Sequence, residues 1–158
     1  MKARFLLFPV VLLVACGPKF IQGTHKVEDT DGNREIANLV EQYRQAVEKR
    51  DMASLKEMIS RRYFANAGTT AESEDDYGYD YLESRVLPNL RDEVKSVQYQ
   101  IILRNITFQG EGRAFAEFEY WYKFFYVDGG KDRWVSKNNF NRLEFVREDG
   151  VWRIIGGL

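Results

Sequence analysis

Few residues in this chain could do chemistry. Cys16 is the only cysteine and His25 the only histidine, so no disulfide can form within the chain. His25 lies in a polar stretch with nothing nearby to orient an imidazole, and it reads as a solvated side chain. The remaining acid–base candidates are carboxylates and tyrosines. Between Ala114 and Tyr126, Phe118, Tyr120, Tyr122, Phe124 and Tyr126 alternate with Glu117, Glu119 and Lys123, and a period of two sends these sets to opposite faces of a strand. If the aromatic face is inward, Glu117 and Glu119 point out. A buried base beside a tyrosine hydroxyl would then have to come from Glu144, with Arg142 near it. Without such a base, Tyr120, Tyr122 and Phe140 are candidates for lining a ligand cavity. Trp121 and Phe125, on the other face, are candidates for contact with a partner chain. The run Glu74-Asp75-Asp76-Tyr77-Gly78-Tyr79-Asp80-Tyr81 has three consecutive acids but no spaced oxygen-ligand pattern. It reads as a solvated loop and helix start rather than a metal site. Its tyrosines, Tyr77, Tyr79 and Tyr81, could close over a cavity mouth or dock a partner. No metal and no cofactor are expected.

The position of Cys16 gives it a different role. Lys2 and Arg4 precede an apolar run from Phe5 to Ala15, which is far short of the roughly 20 residues that span a bilayer. This is the order of an export signal. Leu13-Val14-Ala15-Cys16 resembles the lipobox of bacterial lipoproteins. That resemblance implies cleavage before Cys16, diacylglyceryl and amine-linked acyl chains on it, and a protein held on a membrane of the cell envelope. Two or three chains hold where one does not. Gly17 stands where the enterobacterial sorting pattern has an aspartate for inner-membrane retention, which implies the outer membrane in a Gram-negative source.

Cleavage before Cys16 leaves 21 basic residues of the 23 against 24 acidic ones, a charge of −3. No basic field for nucleic acid results. With 11 Phe, 9 Tyr and 3 Trp, mostly in the second half, a bulky core or a lined pocket is expected. The organisation read from this is a leader over 1–15, a lipidated end and flexible tether over 16–32, and one domain over 33–158.

Within the domain, Ile36, Leu39, Val40, Tyr43, Ala46 and Val47 recur at helical spacing. Asp51 is placed to cap a second helix bearing Met52, Leu55, Met58 and Ile59. A short extended piece is expected at Tyr63 and Phe64. Leu82, Val86, Leu87 and Leu90 suggest a third helix whose last turn Pro88 disturbs. Beyond Val94 the period changes to two. Strands are expected over Val97–Leu103, Ala114–Tyr126, Trp134–Val146 and Val151–Ile155, the last pair joined at Asp149-Gly150. The third strand carries Lys137, Asn138, Asn139 and Asn141, and this polar run leaves open which face turns inward.

Three helices followed by a long four-strand meander, with Ala46-Val47-Glu48-Lys49-Arg50-Asp51 closing the first helix and Asp149-Gly150-Val151-Trp152-Arg153-Ile154 at the last hairpin, resemble the nuclear-transport-factor-2-like, or SnoaL-like, family. The resemblance implies an α+β fold in which N-terminal helices pack in a curved antiparallel sheet, a cone-shaped half-barrel. It also implies a cavity between helices and sheet, with dimerisation through the outer face. Members include isomerases, dehydratases and non-catalytic binding or assembly domains. The enzymes usually place an aspartate, histidine or tyrosine inside the cone. This domain has no histidine, which favours a non-catalytic binding or assembly module with an envelope partner or a second copy. An apolar-ligand binder or an isomerase-like enzyme is the alternative.

Overall fold

The computed structural model describes residues 17–65 and 76–158. Cys16, Glu74 and Asp75 lie outside the described residues. Helix α1, Asp31–Lys49, starts where the Thr30 side chain accepts from the Asn33 N–H and ends at Arg50 in the left-handed region. It buries Ile36, Val40, Tyr43, Ala46 and Val47, the stripe its periodicity demands. Helix α2, Met52–Met58, is capped by Asp51, whose side chain accepts from the Ser54 N–H. The short strands β1, Phe64–Ala65, and β2, Tyr77–Gly78, pair antiparallel.

The third expected helix is three segments: α3, Tyr79–Tyr81, a π turn, Leu82–Val86, and α4, Leu87–Asp92. Pro88 has no N–H to give, and its ring would press on the carbonyl four residues back. The wider π turn ahead of it, closed by Leu87 N–H to Leu82 O, gives that ring room.

The rest is one antiparallel sheet in the order β3-β4-β5-β6, with β3 Val94–Gln109, β4 Arg113–Asp128, β5 Lys131–Glu148 and β6 Val151–Gly156. The expected strands all form, each longer than its alternating core. Its shape is an open, curved half-barrel. Register shifts between Val94 and Ser96, between Leu103 and Asn105, and between Glu144 and Phe145 help the long strands bend. Asp149 at φ 49° and Gly150 at φ 83° make the last hairpin, the primed-turn geometry that an Asp-Gly pair adopts most easily. On the concave face Ala114 and Ala116 are fully buried, and their small side chains admit α1. Phe118, Leu143, Phe145 and Ile154 complete the wall, packed with Ile36, Leu55 and Leu82.

One expectation is corrected here. The segment read as a tether is packed from Phe20 onward. Phe20 bridges Glu28, Val27 is buried, and the His25 backbone N–H donates to Leu103 O on β3 at 2.8 Å. Ile21 and Val27 supply the apolar contacts that hold it. Two hydrophobic residues among polar ones show no period, which is why the segment has no helical or strand signature.

Candidate functional site

The register of the sheet decides which side chains share the concave face. Leu143 lies opposite Ala116 and Phe145 opposite Ala114, and burial of these four fixes the phase of β5. The same phase puts Asn141 opposite Phe118, Asn139 opposite Tyr120 and Lys137 opposite Tyr122 on the inner face. Glu144, Arg142 and Phe140 therefore stand on the outer face, opposite Phe115, Glu117 and Glu119.

Beyond Glu144, toward the β4–β5 turn, β5 has no β6 partner. Around this free edge runs an open cavity of about 1230 Å³. Its inner wall is Phe118, Tyr120, Lys137, Asn139 and Asn141, closed below by Phe64, Ala65, Tyr77 and Leu158. Glu117, Glu144, Arg142, Arg104 and Phe140 border it from the outer side.

Tyr120 lines this cavity and Tyr122 is its neighbour on β4. Their rings stack 5.9 Å apart with planes 7° from parallel, and Tyr122 continues onto Phe124 at 4.4 Å. Such a ladder of half-buried rings offers faces for stacking and hydroxyls for hydrogen bonds. Phe140 does not join them, because it is on the other face and 69% exposed. Glu144 is likewise outside, paired with Arg142 at 2.9 Å, so it is no inward base. Glu117 accepts from Asn105 Nδ2 at 3.2 Å and Glu119 is paired with Arg104.

Deeper in the cone the acid–base character is that of neutral phenols. Tyr43 and Tyr99 meet edge to face at 6.0 Å, and Tyr99 meets Tyr120 at 6.1 Å. Burial, and then the neighbouring Tyr99, holds the Tyr43 hydroxyl well above its usual range. Burial pushes the Tyr99 hydroxyl up to about 12. Both remain protonated donors at neutral pH.

The tyrosines grouped for partner contact separate. Tyr77 lines the cavity and Tyr81, 54% exposed, packs on it at 5.4 Å. Tyr79 is buried, with the Arg61 guanidinium 4.3 Å over its ring, so it is withdrawn as a contact residue: the helix turn that exposes Tyr81 rotates Tyr79 inward. Trp121 lies on the outer face opposite Asn138. Among the described residues no group of His, Cys, Asp or Glu could hold a metal ion.

No family model matches the sequence, and no curated protein is similar to it. Solved structures are. A nuclear transport factor 2 superfamily protein from Salmonella enterica is 15% identical, with TM-score 0.63, over 78% of this chain and 86% of the other. A protein with a cystatin-like fold from Caulobacter vibrioides is 18% identical, with TM-score 0.63, over 81% and 87%. The fold is nuclear-transport-factor-2-like. A conserved protein from Planctomyces limnophilus, 15% identical with TM-score 0.64, covers 80% and 92%. At these identities the likeness carries the fold and no activity.

Two parts of this nuclear-transport-factor-2-like cone were missed in the sequence. Trp134, 53% exposed, lies 4.7 Å from Phe125 across β4 and β5, with Lys123 Nζ 4.3 Å over its ring. Its partnership needs the turn at Gly129-Gly130, which aligns Phe125 with Trp134. The second is the floor of the cavity. Asn141 Nδ2 donates to Gly157 O at 2.8 Å, and the Leu158 N–H donates to the Tyr63 hydroxyl at 3.2 Å. The adjacent glycines Gly156 and Gly157 were the available signal.

Proposed function

We propose that this chain is a lipid-anchored, non-catalytic binding protein of the cell envelope, whose concave tyrosine wall takes an apolar or aromatic ligand. The observation that carries the reading is the inner wall itself. Tyr120 provides a ring face, backed by the buried Phe118 and continued by the stacked Tyr122, and Lys137, Asn139 and Asn141 stand opposite these three with donors. A cavity of about 1230 Å³ is above the usual size for a drug-like molecule, so an elongated ligand or a peptide segment would also fit.

Catalysis of the isomerase or dehydratase type requires a base on that wall. Glu117, Glu119 and Glu144 all stand on the opposite face, which favours binding over proton transfer. Anchoring rests on the Lys2 and Arg4 charges, the short apolar run and Leu13-Val14-Ala15-Cys16. Gly17 after the cysteine points to the outer membrane of a Gram-negative source.

A native mass spectrum of the protein, purified gently, tests the reading. Extra mass on the folded species that disappears on denaturation, and is lost in Tyr120→Ala, is the expected result. Bare protein from both the native chain and the variant, with no ligand taken up from an envelope lipid and metabolite extract, would refute it. A second reading, assembly with another chain, is favoured by the Phe125, Trp134 and Lys123 cluster on the outer face.

A further inference from the structure

A segment that should have been a leash is fastened down. Between Lys19 and Asp29 the chain folds into a small hook. Asp29 N–H donates to Lys19 O at 2.7 Å, and Ile21 N–H donates to Val27 O at 2.9 Å. The Thr24 hydroxyl donates to Ile21 O at 2.7 Å. The hook is fixed to the domain on two sides. His25 N–H reaches Leu103 O on β3, and Asn33 Nδ2 at the start of α1 donates to Glu28 O at 2.9 Å. Val27 is buried beneath it. Opening the hook would expose Val27 and Ile21 and break these bonds, so it moves with the domain.

The free chain ahead of Phe20 is therefore short. Four peptide units separate Cys16 from Phe20, a reach of at most about 14 Å. A polar headgroup layer takes up about 5–8 Å of that on one side of a bilayer. A tether of sixteen residues would let the domain swing clear of the surface; this one does not. The exposed residues nearest the anchor also suit a lipid surface. Phe20 is 48% exposed, with Lys19 and Lys26 exposed beside it on the hook and one exposed acid, Glu28, across the bridge from it. An apolar ring with flanking cations is the composition of an interfacial contact with anionic lipid.

We infer that the Phe20–Glu28 hook seats the β3 edge of the domain directly on the lipid headgroups of the membrane that holds Cys16. The inference rests on the acylation of Cys16 proposed above. Its consequence is an orientation. The cavity reaches Arg104 of β3 on its outer border but opens at the free edge of β5, two strands across the sheet from β3, so that opening faces away from the lipid and toward soluble ligands or partners.

The full chain, made with its own leader and reconstituted into vesicles of phosphatidylethanolamine and phosphatidylglycerol, tests this. Acylation consumes the sole native thiol, so Gln22→Cys on the hook or Asp132→Cys near the β4–β5 turn supplies a single nitroxide site. Asp132 pairs with Val127, about 30 Å along β4 from the level of the hook and two strands, about 10 Å, farther from the lipid than β3. The expected result is a label at 22 relaxed by oxygen and shielded from a water-soluble nickel chelate, with the reverse at 132. Inserting about 12 Gly and Ser residues between Gly17 and Pro18, ahead of the hook, which adds about 20 Å of root-mean-square reach, should abolish the shielding at 22 while the protein still floats with the vesicles. Equal nickel access at both sites on an acylated, vesicle-bound chain would overturn the seating and leave anchoring intact. An intact mass without acyl chains would overturn anchoring, and the seating with it.

Discussion

Ser60 is a fully buried polar residue of the core, and its hydroxyl donates to Glu148 Oε1 at 2.7 Å. Arg62 Nε donates to the same oxygen at 2.9 Å. Together, the serine first, they hold the Glu148 carboxyl below its ordinary range. The sign of the pH effect follows. A depressed carboxylate contributes stability that is present above its unfolded value near 4.3 and lost as pH falls through the folded value. Urea midpoints measured down a pH series should therefore fall less steeply at the acid end for Glu148→Gln than for the native chain. Glu148→Ala removes the acceptor of a buried hydroxyl, and a loss of about 1–3 kcal/mol is expected at neutral pH. An unchanged acid limb in the Gln variant would show that the carboxylate is not held this way.

Among the elements, β5 decides most about the site. Its last residues are tied to β6, with Phe145 and Val146 buried, while its first ten are exposed on an unpartnered edge. The chain after β6 closes one end of that edge through Gly157. This residue has φ 92°, and a Cβ there would lie 2.0 Å from Arg142 O. Left-handed backbone costs a non-glycine residue about 1–2 kcal/mol before any clash. Gly157→Ala should thus lose more than that in a denaturant titration, or detach the segment from Asn141 and Tyr63. Faster amide exchange at Leu158 with little change in global stability would identify detachment. Native exchange together with native stability would contradict the contact. The hook and the π turn are the other elements the sequence understated. Each depends on a neighbour: the hook on β3, the π turn on the space around Pro88.

At the scale of the whole molecule, the outer sheet face carries a partly exposed aromatic cluster. Phe125 and Trp134 pack together under Lys123, and apolar area of this kind on a sheet commonly marks an interface. The dimer expected from the sequence would form there. Sedimentation of the protein over a concentration series should show association that Trp134→Ser weakens by at least about tenfold, the size of a modest hot spot. A monomer at every concentration would remove this face from consideration as a self-contact. The same cluster is on the opposite face of the sheet from the concave tyrosine wall, so Trp134→Ser should leave any retained ligand in place.

How much could be read beforehand follows from the range of the interactions involved. Helical and strand periods are local, so Ile36 to Val47, the Asp51 cap, the four strands and the Asp149-Gly150 turn were legible, and their order was enough to expect the half-barrel. Which β4 side chains share a face was legible too, because Ala114 through Tyr126 follows a period of two, but which face turns inward stayed conditional. The face of β5 was not legible, since Lys137 to Asn141 is polar on both sides. Only pairing with β4 placed Phe140 and Glu144 outside and Asn139 inside. The hook was invisible for the same reason: Val27 is apolar without a period, and its burial exists only because Leu103 is there to receive His25. The sequence by itself determined which residues alternate and where the chain turns, because those depend on neighbours a few positions away. The tertiary structure alone decided which residues share the cavity and that the segment from Phe20 to Asp29 is packed on the domain, because both depend on contacts between residues far apart in the chain.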